Sequence, residues 1–154
     1  MPNYLKLIIS LALPQLAGGL GAFFTISSVQ SWYLTINRPT WNPPNWLFGP
    51  VWTSLYVLMG IACFLIWKSE SPYKKQLLTL YFVQLGLNAL WSPAFFGMQS
   101  PILGLVVIVP LWISILMCIF QFRKVSPLAS GLLLPYLGWV SFATVLNASI
   151  WWLN

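Results

Sequence analysis

Eight charged side chains punctuate 154 residues, and their positions limit the fold more than any other feature. They are Lys6, Arg38, Lys68, Glu70, Lys74, Lys75, Arg123 and Lys124. Between them run four uncharged stretches: 7–37, 39–67, 76–122 and 125–154. Each exceeds the roughly 20 apolar residues that cross a hydrocarbon core about 30 Å thick. The third is long enough for two crossings and is broken by the turn signal Gly97-Met98-Gln99-Ser100-Pro101. The runs are solidly apolar, whereas transmembrane strands alternate polar and apolar residues. A soluble domain carries about 25% charged residues; this chain carries 5%, with 59% hydrophobic residues and a mean hydropathy of +0.82. Disorder is excluded too, because disordered chains are polar and poor in aromatics. The sequence predicts one all-α integral membrane domain over 1–154. Its five transmembrane helices fall at about 5–28, 46–67, 74–97, 101–122 and 127–151, with a structured loop between the first two.

Lysine and arginine set the expected orientation. Lys6, Lys68, Lys74, Lys75, Arg123 and Lys124 fall on one side and Arg38 alone on the other. That places the N-terminus in the cytoplasm and the 30–45 loop outside. The +6 net charge then needs no nucleic acid, and contact with anionic lipid is a natural extra. The first apolar run continues to about Val29, longer than a signal-peptide core, so a retained helix is expected although Gly21 and Ala22 mimic a cleavage site. Cys63 and Cys118 sit in separate helices, histidine is absent, and neither a metal site nor a disulfide framework is expected.

No acid or base falls in the middle of a span, which argues against proton-coupled transport. A Ser-His-Asp set cannot be assembled. What the chain offers is aromatic surface, with ten tryptophans. Trp46, Trp67, Trp151 and Trp152 suit an interfacial belt. Trp52, Trp91, Trp112 and Trp139 lie deeper, where an indole N–H wants a partner. On the third predicted helix Gln84, Asn88, Trp91 and Phe95 share one face, and Gly86, Ala94 and Gly97 fall on the other. The amides serve either interhelical hydrogen bonds or a ligand. The small face suits close packing, within the chain or between two copies. Trp139, Ala143, Leu146, Asn147 and Ile150 form a stripe on the fifth helix, and Trp52 and Tyr56 are paired on the second. A cavity so lined suits a flat, apolar molecule with few polar atoms; core packing is the competing reading for each tryptophan alone.

The loop runs from Trp32 to Trp46 and is rich in proline and tryptophan. Proline fixes φ and reduces unfolded-state entropy, so a structured lid is expected. Its one charge, Arg38, suits a ligand carboxylate or a lipid headgroup equally.

These residues resemble the TspO/MBR family, which includes bacterial tryptophan-rich sensory proteins and the mitochondrial translocator protein, or peripheral benzodiazepine receptor. The likeness is carried by Trp32-Tyr33 with Arg38-Pro39-x-Trp41-x-Pro43-Pro44, by Phe48-Gly49-Pro50-Val51-Trp52-Thr53-x-Leu55-Tyr56, by Gln84-Leu85-x-Leu87-Asn88-x-x-Trp91-Ser92, and by Pro135-Tyr136-Leu137-x-Trp139-x-x-Phe142-Ala143-x-x-Leu146-Asn147. The order and spacing of all four segments cover nearly the whole chain.

The resemblance implies a bacterial-type, usually dimeric bundle in the cell membrane, with Gly86, Ala94 and Gly97 offered to a homodimer. It implies binding of porphyrins of the protoporphyrin IX class and of flat aromatic drugs, with no required cofactor. Carried over by position, the site would comprise Trp32, Tyr33, Arg38, Trp41, Pro43, Pro44, Trp52, Tyr56, Asn88, Trp91, Trp139, Ala143, Leu146 and Asn147. A light-dependent porphyrin-degrading activity, implied by some bacterial members, would fall on Trp52 and Trp139. Transport of porphyrins is a third reading. The cholesterol motif of animal members lacks its Tyr and Arg here, where Ala148 and Trp152 stand, and cholesterol handling is not expected.

Overall fold

The computed structural model describes residues 1–154. The chain is helical throughout: α1 (Asn3–Val29), α2 (Trp32–Thr35), α3 (Asn45–Trp67), α4 (Lys74–Ser92) continued by a π-helical turn (Pro93–Gly97), α5 (Pro101–Phe122), α6 (Pro127–Leu132) and α7 (Leu134–Leu153). Four segments are long and apolar enough to cross a membrane: α1, α3, α5, and α6 with α7 taken together. The third predicted span, α4, is the exception. Lys74, Lys75, Gln76, Gln84 and Asn88 dilute its apolar character, so it stands beside the four as a further helix.

The fifth predicted helix is in two pieces. Pro135 has no N–H to give to the preceding turn. Leu133 instead donates to Ser130 O at 3.1 Å, and α7 restarts with Leu137 N on Leu133 O at 3.0 Å. The starts of α5 and α6 follow one rule. A serine precedes a proline at the first helical position, and its hydroxyl accepts a backbone N–H three residues on: Leu103 N to Ser100, Ala129 N to Ser126.

The π turn arises where α4 meets Pro93. Met98 N reaches Pro93 O at 2.8 Å and Ser100 N reaches Phe95 O at 3.1 Å, both five residues back. Gln99, at a left-handed φ of 51°, then reverses the chain into α5. The wider turn sends Phe95 and Phe96 both inward, and both are buried.

The long helices close a ring. α1 packs on α3 and α4, α4 on α5, α5 on α7, and α6 joins α3 to α7. The α1–α3 crossing is tight at Gly60, where a Cβ would stand 2.6 Å from Ser10 O. The main core, around Met59, Tyr81, Ile115, Phe122 and Tyr136, fills the half of the bundle remote from the α1–α3 link. A smaller aromatic core of Tyr33, Phe95, Phe96, Leu146 and Ile150 lies under that link.

Candidate functional site

Between the two cores the helices leave space. A cavity of about 650 Å³ is bounded by α1, α3, α4 and α5, and Trp52, Tyr56, Asn88 and Trp91 stand in its wall. A smaller void of about 50 Å³ continues toward α7 and is walled by Tyr33, Trp139, Ala143, Leu146 and Asn147. Thr25, Phe48, Trp52 and Trp91 border both. No charged side chain lines either one. The larger volume lies within the roughly 300–1,000 Å³ of small-molecule sites.

Indoles and phenyl rings shape the space. Trp52 stacks on Tyr56 with centroids 5.6 Å apart and meets Trp139 edge-on at 6.4 Å. Trp91 stacks on Phe95 at 5.4 Å, which the π turn makes available. Trp139 lies 5.3 Å from Phe142 and 6.0 Å from Phe48. The deep indoles differ in their N–H. Trp91 donates to Asn147 Oδ1 at 3.1 Å and Trp112 to Ser141 Oγ at 2.7 Å. The Trp139 N–H is buried with no partner. A buried donor left unpaired costs free energy, on the order of 1–3 kcal/mol.

The amides of α4 make interhelical hydrogen bonds. Tyr136 Oη donates to Gln84 Oε1 at 2.8 Å and accepts from Asn88 Nδ2 at 2.7 Å, while Tyr56 Oη donates to Asn88 Oδ1 at 3.2 Å. This relay ties α3, α4 and α7 beneath the cavity floor. Asn88 serves both roles, since it also lines the cavity. Asn147 is likewise anchored, its Nδ2 donating to Pro101 O at 2.8 Å.

Of the loop residues predicted for the site, Tyr33 lines the smaller void while Trp32, Arg38, Trp41, Pro43 and Pro44 form a cover; Asn45 and Trp46 at the loop's end, the latter read from the sequence as interfacial, line the larger cavity. Trp32 packs on Phe95 at 5.6 Å and Trp41 on Phe142 at 5.7 Å. Arg38 lies over the Tyr33 ring at 4.9 Å, and Tyr33 Oη donates to Asn42 Oδ1 at 2.5 Å. Burial pushes the Tyr33 phenol above its ordinary value, and the Arg38 charge offsets part of that rise. Pro43 and Pro44 lead into α3. Asn37 pairs with the far end of the chain: its N donates to Asn154 Oδ1 at 3.1 Å, and Asn154 Nδ2 donates back to Asn37 O at 2.9 Å.

One wall of the cavity was not read from the sequence. Gln15, Gly18, Gly19, Gly21, Ala22 and Thr25 of α1 supply it. Glycine and alanine carry no chemistry, and the only signal was the run of small residues itself. Gly18 has a specific reason to be glycine, because a Cβ there would run into the Tyr56 ring. The small face of α4 divides. A Cβ at Gly97 would meet Phe24 of α1 at 2.7 Å, so that glycine serves packing within the chain, while Gly86 faces open space.

The TspO/MBR family model matches residues 10–153. Among curated relatives, the tryptophan-rich protein TspO of Archaeoglobus fulgidus is 47% identical over 152 residues, covering 99% of both chains. The protein of the same name from Chlorobaculum tepidum is 46% identical, covering 97% of this chain and 96% of its own. The bovine translocator protein is 38% identical, over 90% and 84% respectively.

Proposed function

The chain belongs to the TspO/MBR family, and from that premise we propose that it is a membrane receptor that binds tetrapyrroles of the protoporphyrin IX class in its aromatic cavity. The observation that carries the reading is the wall itself. Trp52, Tyr56 and Trp91 present broad ring faces around about 650 Å³ of uncharged space. Such a surface rewards a flat apolar ligand through area burial and stacking. Flat aromatic drugs share that shape and are expected to compete. Trp139 walls the smaller void, and its buried N–H is unpaired, so a ligand that widens that void gains one directed hydrogen bond.

In this reading the protein is multi-pass in a bacterial cytoplasmic membrane. α4 with its π turn makes a fifth crossing, the N-terminus is cytoplasmic, and the loop 30–45 is outside. Two copies meet through the outward face of α4 from Gly86 toward Ala94, which leaves the Lys74–Val83 end of the helix uncovered. The test of function is a titration of purified protein with protoporphyrin IX in the dark, followed by tryptophan quenching. Saturable quenching that weakens in Trp52→Ala and Trp91→Ala supports the receptor. Absence of saturable quenching refutes it.

The perpendicular contact of Trp52 with Trp139 favours a second reading, light-dependent porphyrin degradation. Bound porphyrin would absorb light and be oxidised by dissolved dioxygen, the terminal electron acceptor, with the two oxidisable indoles relaying the electron. No acid–base residue is needed for that chemistry, and none lines the cavity.

A further inference from the structure

At the end of the bundle remote from the lid, a second depression shares no residue with the aromatic cavities. It is a groove of about 660 Å³ walled by Trp67, Lys74, Lys75, Leu78, Phe82 and Val83. Its lining is ordered along α4. Two ammonium groups stand at the start of the helix, and only apolar side chains and Thr79 follow. Phe82 and Val83 are 45% and 50% exposed, so the apolar part opens outward.

Three lysines gather at the Trp67 end of the groove. Lys74 Nζ donates to Trp67 O at 3.1 Å, which occupies one of its three donors. Lys6 Nζ of α1 lies 5.9 Å from the Trp67 ring centroid, within cation–π range. Lys75 completes the set on the groove wall. The only carboxylate side chain of the protein is Glu70. It can neutralise at most one cation, so this corner keeps a net positive charge.

We propose that this groove is a binding site for a glycerophospholipid with an anionic headgroup. The phosphate sits between Lys74 and Lys75, with Lys6 adding to the local potential. One acyl chain lies along Leu78, Phe82 and Val83. The dimensions agree. From Lys74 to Val83 the helix rises about 13 Å at ~1.5 Å per residue, close to half of the ~30 Å hydrocarbon thickness and therefore to the reach of one chain. Charge at one end and hydrocarbon along the rest match an amphiphile, where a free anion would leave the apolar length unused. A zwitterionic headgroup would bring its own cation against the lysines.

The experiment is native mass spectrometry of the full chain in detergent with palmitoyl-oleoyl phosphatidylglycerol, and with the phosphatidylcholine of the same chains as reference. Selective retention of phosphatidylglycerol is expected. Lys74→Gln with Lys75→Gln should weaken it about twenty-five-fold, about five-fold per lysine. Arg123→Gln with Lys124→Gln, elsewhere on the same end, should leave it unchanged, and inorganic phosphate should not displace the lipid. A thermal melt establishes that both double variants are folded. Equal retention of the two lipids, no loss in the Lys74/Lys75 variant, or equal loss in both double variants would overturn the site. Displacement by inorganic phosphate would overturn the lipid as its occupant.

Discussion

Trp52 and Trp139 meet edge to face, 6.4 Å between ring centroids and 88° between planes, at the border of the two voids. One comes from α3 and the other from α7, so the contact lies at the seam where these two helices, joined by α6, close the ring. Trp52 is held from behind by Tyr56 and Tyr136, and Trp139 by Phe48 and Phe142. The pair is therefore braced on both sides before a ligand arrives.

That bracing separates binding from photochemistry. Trp139→Phe keeps an aromatic ring and removes the unpaired N–H. Trp139→Ala removes the ring as well. In the dark, the alanine variant should lose about ten-fold in protoporphyrin affinity, the order expected for one aromatic contact, and the phenylalanine variant less. Under illumination, porphyrin absorbance should decay more slowly with Trp139→Phe than with wild type, if the indole carries the electron. Decay at the wild-type rate, matched against porphyrin in protein-free detergent, would remove Trp139 from any photochemical role.

Gly18 controls the volume of the cavity. Because a Cβ there collides with the Tyr56 ring, Gly18→Leu should fill the space between α1 and α3. Porphyrin quenching should be lost while the helical circular dichroism is unchanged. Gly138→Ala on α7 is the control, since nothing lies within 4 Å of its Cβ position and it lines neither void. A Gly18→Leu protein that still binds would place the ligand elsewhere.

The helices were legible because each is bounded by charge or proline, and a long uncharged run admits few alternatives in a membrane. The α7 side of the site was legible by the same logic. Trp139, Ala143, Leu146, Asn147 and Ile150 recur at helical spacing, and all five line the smaller void. The π turn was not legible. A five-residue hydrogen-bond closure leaves no trace in a 3.6-residue period, yet it sets Phe95 against Trp91. The contribution of α1 was hidden for a different reason. Gly18, Gly21 and Ala22 shape the cavity by what they lack, and a missing side chain looks the same at a packing contact and at a binding wall. The role of Tyr136 was hidden because it rests on partners 48 and 52 residues away.

Tyr136 is the hub of the buried relay, donating to Gln84 and accepting from Asn88. Tyr136→Phe removes the hydroxyl and keeps the ring. Gln84 Oε1 and Asn88 Nδ2 then lose this partner in a buried place, at a cost of about 1–2 kcal/mol by the membrane and soluble measures together. For a chain of this size, melting should fall by about 2–8 °C. Tyr73→Phe, on an exposed tyrosine, should leave it unchanged. An unshifted melt in Tyr136→Phe would show that the relay contributes no net stability.

The lid should respond to alkaline pH through Tyr33. Its phenol is raised above the ordinary 10.0, mainly by burial and against the pull of Arg38. The folded lid therefore holds the proton more tightly than the unfolded lid, and the proton makes the hydrogen bond to Asn42. The resulting stability is fully present below about pH 10 and is lost as pH rises through the folded value. Tryptophan emission from the lid should stay flat from neutral pH to about 9 and shift above 10, and Tyr33→Phe should abolish that shift. An identical alkaline shift in Tyr33→Phe would assign the transition to another group.

The clasp between Asn37 and Asn154 joins the lid to the end of α7 by a reciprocal pair of hydrogen bonds, at 3.1 and 2.9 Å. Asn37 Nδ2 adds a third to Leu153 O at 3.2 Å. These groups are exposed, so each bond is worth about 0.5–1.5 kcal/mol at most. That is too little to hold the fold and enough to set how often the lid lifts. Asn154→Ala should leave the melting temperature unchanged and speed amide exchange over residues 32–45 by several-fold. Porphyrin association and dissociation should quicken together, because a gate that opens more often serves both directions, and the equilibrium affinity should barely move. A change in affinity without a change in rates would mean that Asn154 acts on the bound state and not on the gate.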